Sequence, residues 1–149
     1  MSDWESALSP EQLSGIRNHI MYELRMLRWA CDRRLDYDYC GSDPYLGSAL
    51  LDSFLIHARS LYAFFQSPKY PNDVCVRQFL SDWRPSGLET VSSSISDINK
   101  CRGHISYERL ELDSTVEWQM REIRDELDSA FEQLRAVLPP EEQPHWVPG

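Results

Sequence analysis

Val116, Met120, Ile123, Leu127, Ala130, Leu134 and Val137 follow one another at steps of four and three. No other feature constrains the chain as tightly, because that spacing stacks the seven side chains along one stripe of an α-helix. A strand would scatter them over both faces. The helix is expected to open at Ser114, with Glu117 three residues on as the partner in a capping box, and to stop at Pro139-Pro140.

The same period recurs upstream. Ser9-Pro10-Glu11-Gln12 carries a serine cap, a first-turn proline and a closing glutamine. Leu13, Ile16, Ile20, Leu24, Leu27 and Cys31 then run for about five turns, predicting a helix to about Tyr37. After Asp43-Pro44, Leu46, Leu50, Phe54, Leu61, Phe64 and Phe65 share a face that Leu51, Leu55 and Tyr62 widen, as in a central, buried helix ended by Pro68 and Pro71. Asn72-Asp73 predicts the cap of a short helix holding Cys75, Val76, Phe79, Leu80 and Trp83. Ser86-Gly87-Leu88-Glu89 is a second capping box, opening a helix with Val91, Ile95, Ile98 and Ile105. No run alternates as a strand does. Four long helices and one short one predict an all-α antiparallel bundle.

A chain of 149 residues is one domain, long enough for one core. The bundle is expected over residues 9–138, with a flexible start at 1–8 and a loose tail at 139–149, which holds four prolines. Neither a basic leader nor an apolar span of roughly 20 residues is present, so no membrane segment is expected. Cys31, Cys40, Cys75 and Cys101 fall in no CxxC or zinc spacing, which suits free thiols in a reducing cytoplasm.

The net charge is −9, and residues 111–149 carry −7 of it, ten acids against three arginines. Phosphate binding depends on clustered Lys and Arg, so a globally acidic chain needs a local basic patch to hold nucleic acid. Arg25, Arg28, Arg33 and Arg34, then Lys100, Arg102 and Arg109, are the candidates.

At 100° per residue the polar groups sort by face. Ser93, Asp97, Lys100, His104 and Tyr107 form a ladder opposite the apolar centre of their helix. His57 falls within the apolar stripe of its own helix and is expected to be a buried polar group with a hydrogen-bond partner. Arg59 lies on the opposite, narrow polar strip. Tyr22, Met26 and Trp29, flanked by Arg25 and Arg33, stand on consecutive turns behind the first helix, as an interface would.

Phosphate-loop, Rossmann, HExxH, ExxH and GxSxG motifs are all lacking, and His19, His57, His104 and His145 have no ligand spacing. No metal site and no cofactor is therefore expected. What remains is acid–base work by His104 with Lys100 one turn before it, since a cation beside an imidazole can stabilise charge developing on a phosphorus centre. A solvated helix face reads the same way.

The segments Phe54-Leu55-Ile56-His57-Ala58-Arg59 and Asn99-Lys100-Cys101-Arg102-Gly103-His104-Ile105-Ser106-Tyr107-Glu108-Arg109 resemble the FLxHAR and INKxxxHxxYxR segments of a set of bacterial helical proteins. The likeness spans about residues 46–110, and the layout is similar to the HEPN superfamily. That resemblance implies a small helical bundle, commonly a homodimer, in toxin–antitoxin or other defence systems, with RNA or nucleotide as ligand and an antitoxin as partner. It implies a metal-independent ribonuclease with His104 and Lys100 catalytic, and with Asn99, Arg102, Tyr107, Arg59 and Arg109 binding substrate. Active members use R-x(4–6)-H, whereas Asn99, Ile98 and Asp97 occupy those arginine positions here. A degenerate RNA- or nucleotide-binding module is thus the alternative to an enzyme. From another class comes a non-enzymatic module whose acidic last helix and tail bind a basic partner.

Overall fold

The computed structural model describes residues 8–41, 43–102 and 118–149, with Pro44, Cys101 and Arg102 described by backbone alone. All regular structure among them is helical: α1 (Pro10–Leu35), α2 (Tyr37–Cys40), α3 (Pro44–Phe64), α4 (Glu89–Arg102) and α5 (Met120–Val137). Single 3₁₀ turns lie at Val76–Gln78 and Gln143–His145. Residues 1–7 of the expected flexible start lie outside the described residues.

Ser9 opens α1 as its sequence predicts: Oγ accepts from the Gln12 N–H at 3.2 Å, and the Gln12 side chain accepts from the Ser9 N–H at 2.8 Å. The helix stops at Leu35, two residues short of Tyr37, because the Asp36 backbone is extended and its carboxylate caps α2 instead. Asp43 then caps α3, accepting from the N–H groups of Tyr45 and Leu46.

Helix direction follows from which residues meet. Along α1 and α3, Glu23 meets His57 while Arg34 meets Gly47, so the two run antiparallel. Tyr62 meets Ser92 across α3 and α4, and Glu126 reaches Thr90 across α5 and α4. α3 packs against α1, α4 and α5 and is the central helix, with Leu50, Phe54, Leu55, Ala58, Leu61, Phe64 and Phe65 all buried. Arg28 to Asp128 at 2.7 Å and Arg124 to Asp32 at 2.8 Å lace α1 to α5 along their edge. Such partly exposed pairs contribute about 0–1 kcal/mol each, so the apolar seam dominates.

Four expectations change. The last helix runs from Met120, with Trp118 and Gln119 non-helical before it; the expected cap at Ser114 with Glu117, and Val116, lie outside the described residues. The short helix is reduced to one 3₁₀ turn, because Asp73 does not cap it. Its carboxylate turns back to accept from the N–H groups of Lys69 and Tyr70 at 2.9 Å each. Ser86 does not cap α4, whose first N–H groups are taken by Glu126 of α5. Finally, the tail is folded against the bundle rather than loose. Trp146 is 2% exposed, 6.2 Å from the Phe64 ring and edge-on to Phe79 at 4.9 Å, and Glu142 pairs with Arg17 at 2.9 Å. Burying an indole outweighs the extended bias of the surrounding prolines.

That aromatic cluster stands where α3 ends. Phe65 meets Phe131 at 4.9 Å, and Trp83 sits 6.4 Å from Phe65. Connection 65–88 and the tail therefore share one anchorage.

Candidate functional site

Above the end of α3 lies a cavity of about 310 Å³, walled by α3, α4 and the connection between them. Arg59 enters from the polar strip of α3, Asn99 from α4, and Lys69 and Tyr70 from the connection. The Asp73 carboxylate holds the Lys69–Tyr70 turn by two backbone N–H bonds, which sets both side chains at the rim. Tyr62 forms part of the wall, its hydroxyl donating to Ser92 Oγ at 3.0 Å and so tying α3 to α4. Neither Arg59 nor Lys69 is ion-paired among the described residues. Tyr70 is 70% exposed.

The electrostatics of this face differ from those of the chain as a whole. The described lining of the cavity carries Arg59 and Lys69 against Asp73, +1 within a chain of −9. Much of the acid is used elsewhere: Glu126 accepts from the N–H groups of Thr90 and Val91 at 2.9 and 3.0 Å, Asp128 binds Arg28, and Glu142 binds Arg17. Two cations, an amide, hydroxyls and aromatic rings in one concavity suit an anionic ligand bearing a planar ring. No family model, curated protein or solved structure matches the chain.

Of the residues named from sequence, Arg59 and Asn99 share the cavity. Lys100 is exposed on the next position of α4 and does not line it. Arg102 closes α4, its side chain outside the described residues, as are His104, Tyr107 and Arg109 entirely. His57 is part-buried, its side chain 14% exposed, and does not line the cavity. It meets α1 instead, with Nδ1 2.6 Å from Glu23 Oε2 and its ring edge-on to Tyr22 at 6.2 Å. That contact holds α1 on α3. Tyr22 and Trp29 are 47% and 43% exposed, with Met26 part-buried between them. Arg25, Arg28 and the tail residues Pro148 and Gly149 complete a shallow groove on that face.

Lys69, Tyr70 and Tyr62 were not singled out as functional by sequence reasoning. The one signal available was the turn chemistry of Pro68-Lys69-Tyr70-Pro71-Asn72-Asp73, which marks an ordered loop carrying a cation and a ring. Among the described residues no three His, Cys, Asp or Glu side chains converge as metal ligands, and no helix is long and apolar enough to cross a membrane. Burial pushes the Cys31 thiol up, against the pull of Arg124, and its Sγ lies 3.8 Å from the Met120 carbonyl oxygen. A thiol kept protonated and enclosed is a poor nucleophile.

Proposed function

We propose that this chain is a HEPN-like nucleotide- or RNA-binding bundle serving a bacterial defence or toxin–antitoxin system. One observation carries the reading. Arg59, which ends the first motif segment, and Asn99, near the start of the second, line the same cavity although forty positions separate them. In this reading Arg59 and Lys69 hold a phosphate, Asn99 reads the base or ribose by its amide, and Tyr70 offers a ring to stack on. The acidity of the rest of the molecule repels extended polyanions, so the contact is short and local.

The test is titration of the full chain with a fluorescent adenosine 5′-monophosphate and a short RNA. Arg59→Ala is expected to weaken both by about tenfold, the loss of one charge-assisted hydrogen bond. Equal affinity in wild type and Arg59→Ala sinks the reading. Cleavage is a separable claim, resting on His104 as general acid or base with Lys100 beside it. Incubation with total RNA in EDTA decides it: cleavage that His104→Ala abolishes adds a metal-independent ribonuclease, and equal cleavage or none leaves binding alone.

The defence setting brings a second copy or an antitoxin as partner, and we assign that contact to the face bearing Tyr22, Met26 and Trp29. Trp29→Glu is expected to lower the mass seen by light scattering, alone or with the partner present. The rival reading, capture of a basic protein by the acidic last helix and tail, has fewer carboxylates to work with, since Glu126, Asp128 and Glu142 bind groups of this chain.

A further inference from the structure

The cavity that holds Arg59 does not stand alone. A second, shallow and open cavity of about 340 Å³ lies on the other side of Tyr62, and Tyr62 and Gln66 line both. Arg84 enters this second cavity from connection 65–88, and its Nη2 donates to Ser67 Oγ at 2.7 Å. Ser67 belongs to the wall of the first cavity, so the arginine is held against the partition between the two.

We propose that the two cavities form one track for a single-stranded oligoribonucleotide, with one nucleotide on each side of Tyr62. This rests on the nucleotide-binding reading above and deepens it from a single nucleotide to a strand. Each cavity is at the small end of the range that takes an organic ligand, suiting one nucleotide apiece. Arg59 and Lys69 stand on one side with Asp73, whose carboxylate is occupied by two backbone N–H groups, and Arg84 stands on the other with Glu89. Tyr62 and Tyr70 supply rings at the partition and at the outer rim, the arrangement by which bases are held without reading a sequence.

The first turn of α4 also borders the second cavity, where it places the Glu89 carboxylate in the wall, so it does not hold the phosphate. Its Thr90 and Val91 N–H groups are already bonded to Glu126, so the anion falls to Arg84. A duplex is excluded by shape, because its bases are paired and stacked and cannot enter two concavities. The track is also short. Beyond two nucleotides the strand leaves Arg59, Lys69 and Arg84 behind and meets a molecule of net charge −9, so affinity should rise from one nucleotide to two and then level off.

The experiment is calorimetric titration of the full chain with the 5′-phosphorylated ribo-oligomers pA, pApA and pApApApA. Wild type is expected to bind pApA about tenfold tighter than pA, the contribution of one further base and phosphate, and pApApApA within about twofold of pApA. Arg84→Ala should erase the gain of pApA over pA while pA keeps its dependence on Arg59, and Arg84→Lys should restore part of the gain. Tyr62→Ala, which removes the ring at the partition, serves as a second variant and should shrink the same gain, whereas Tyr62→Phe, which keeps the ring and loses only the hydroxyl that meets Ser92, should preserve it. If pA binds with its dependence on Arg59 but pApA is no tighter, the track is wrong and the single-site reading survives. If none of the three binds, both fall. Affinity climbing steadily with length would overturn the two-nucleotide limit in favour of a longer basic path.

Discussion

The N-termini of α1 and α4 carry the same four-residue signature and are held in different ways. At α1, Ser9 and Gln12 satisfy each other's backbone N–H groups, and nothing distant is needed. At α4 the serine of Ser86-Gly87-Leu88-Glu89 points away, because Gly87 takes a φ of +81° and sends the chain sideways. Helix α4 starts at Glu89, three residues past Ser86, and the carboxylate of Glu126 on α5 closes its first turn. Ser86 pairs through its backbone with Gln133 of the same helix α5. A capping box is a competition between a neighbour in sequence and a neighbour in space. The neighbour in space wins where another helix has already brought a better acceptor.

The tail is the extreme case of a segment held from afar, and its removal should have the largest effect. Trp146→Ala empties a site bounded by Phe64 and Phe79, and is expected to destabilise by about 3–5 kcal/mol, as buried aromatic deletions do. Urea unfolding should show this as a lower midpoint with little change in slope. Trp146→Phe keeps most of the apolar bulk, and the indole Nε1 it removes has no hydrogen-bond partner among the described residues, so the cost should be much smaller. Equal stability of wild type and Trp146→Ala would mean that the tail only rests on the bundle.

The next effect belongs to Glu126. Replacement by Ala strands the part-buried N–H groups of Thr90 and Val91, and should lower stability by about 1–3 kcal/mol. Glu126→Gln keeps one acceptor oxygen and should lose less. Amide hydrogen exchange separates the two ends directly: Thr90 and Val91 should exchange faster in Glu126→Ala while Gln12 and Leu13 do not change.

These cases explain which parts of the molecule could be read in advance. Stripes of apolar side chains with period 3.6 gave the four long helices, because burial of a whole face is decided by many residues at once. Seven-residue logic placed Leu127, Ala130 and Leu134 correctly at the buried seam of α5, but not its start at Met120, where Gln119 makes no side-chain cap and no period marks the boundary. Of the cavity, Arg59 was legible as a cation on the narrow polar strip of α3, and Asn99 only through its place in the second motif segment. Lys69, Tyr70 and Arg84 were not, because connection 65–88 has no period to reveal which side chains turn inward. Trp146 was misjudged for the same reason: four nearby prolines describe local stiffness and say nothing of what an indole can reach.

At α1 the expected effect is moderate. Ser9→Ala removes the acceptor for the Gln12 N–H and should destabilise by about 1 kcal/mol near neutral pH. A backbone N–H bond, helped by the Ser9 side chain, holds the Glu11 carboxyl below its ordinary value. A carboxylate with a depressed folded pKa adds stability above its unfolded pKa and loses it as pH falls through the folded one. Part of the Ser9→Ala deficit should therefore vanish below the carboxylate range, which thermal melts at pH 7 and pH 3 would detect.

The smallest expected effect tests the comparison most directly. Ser86→Ala deletes only a 3.4 Å contact from Oγ to Gln133 Oε1, since the Ser86 N–H still donates to Gln133 at 3.0 Å and its carbonyl still accepts at 3.1 Å. The change should stay within about 0.5 kcal/mol, the range of an exposed substitution away from a cap. Gln133→Ala, which removes both backbone partners, should cost more than Ser86→Ala although it lies 47 residues away. A deficit for Ser86→Ala as large as that of Ser9→Ala would mean that the serine caps α4 after all, and the contrast between the two helix starts would collapse.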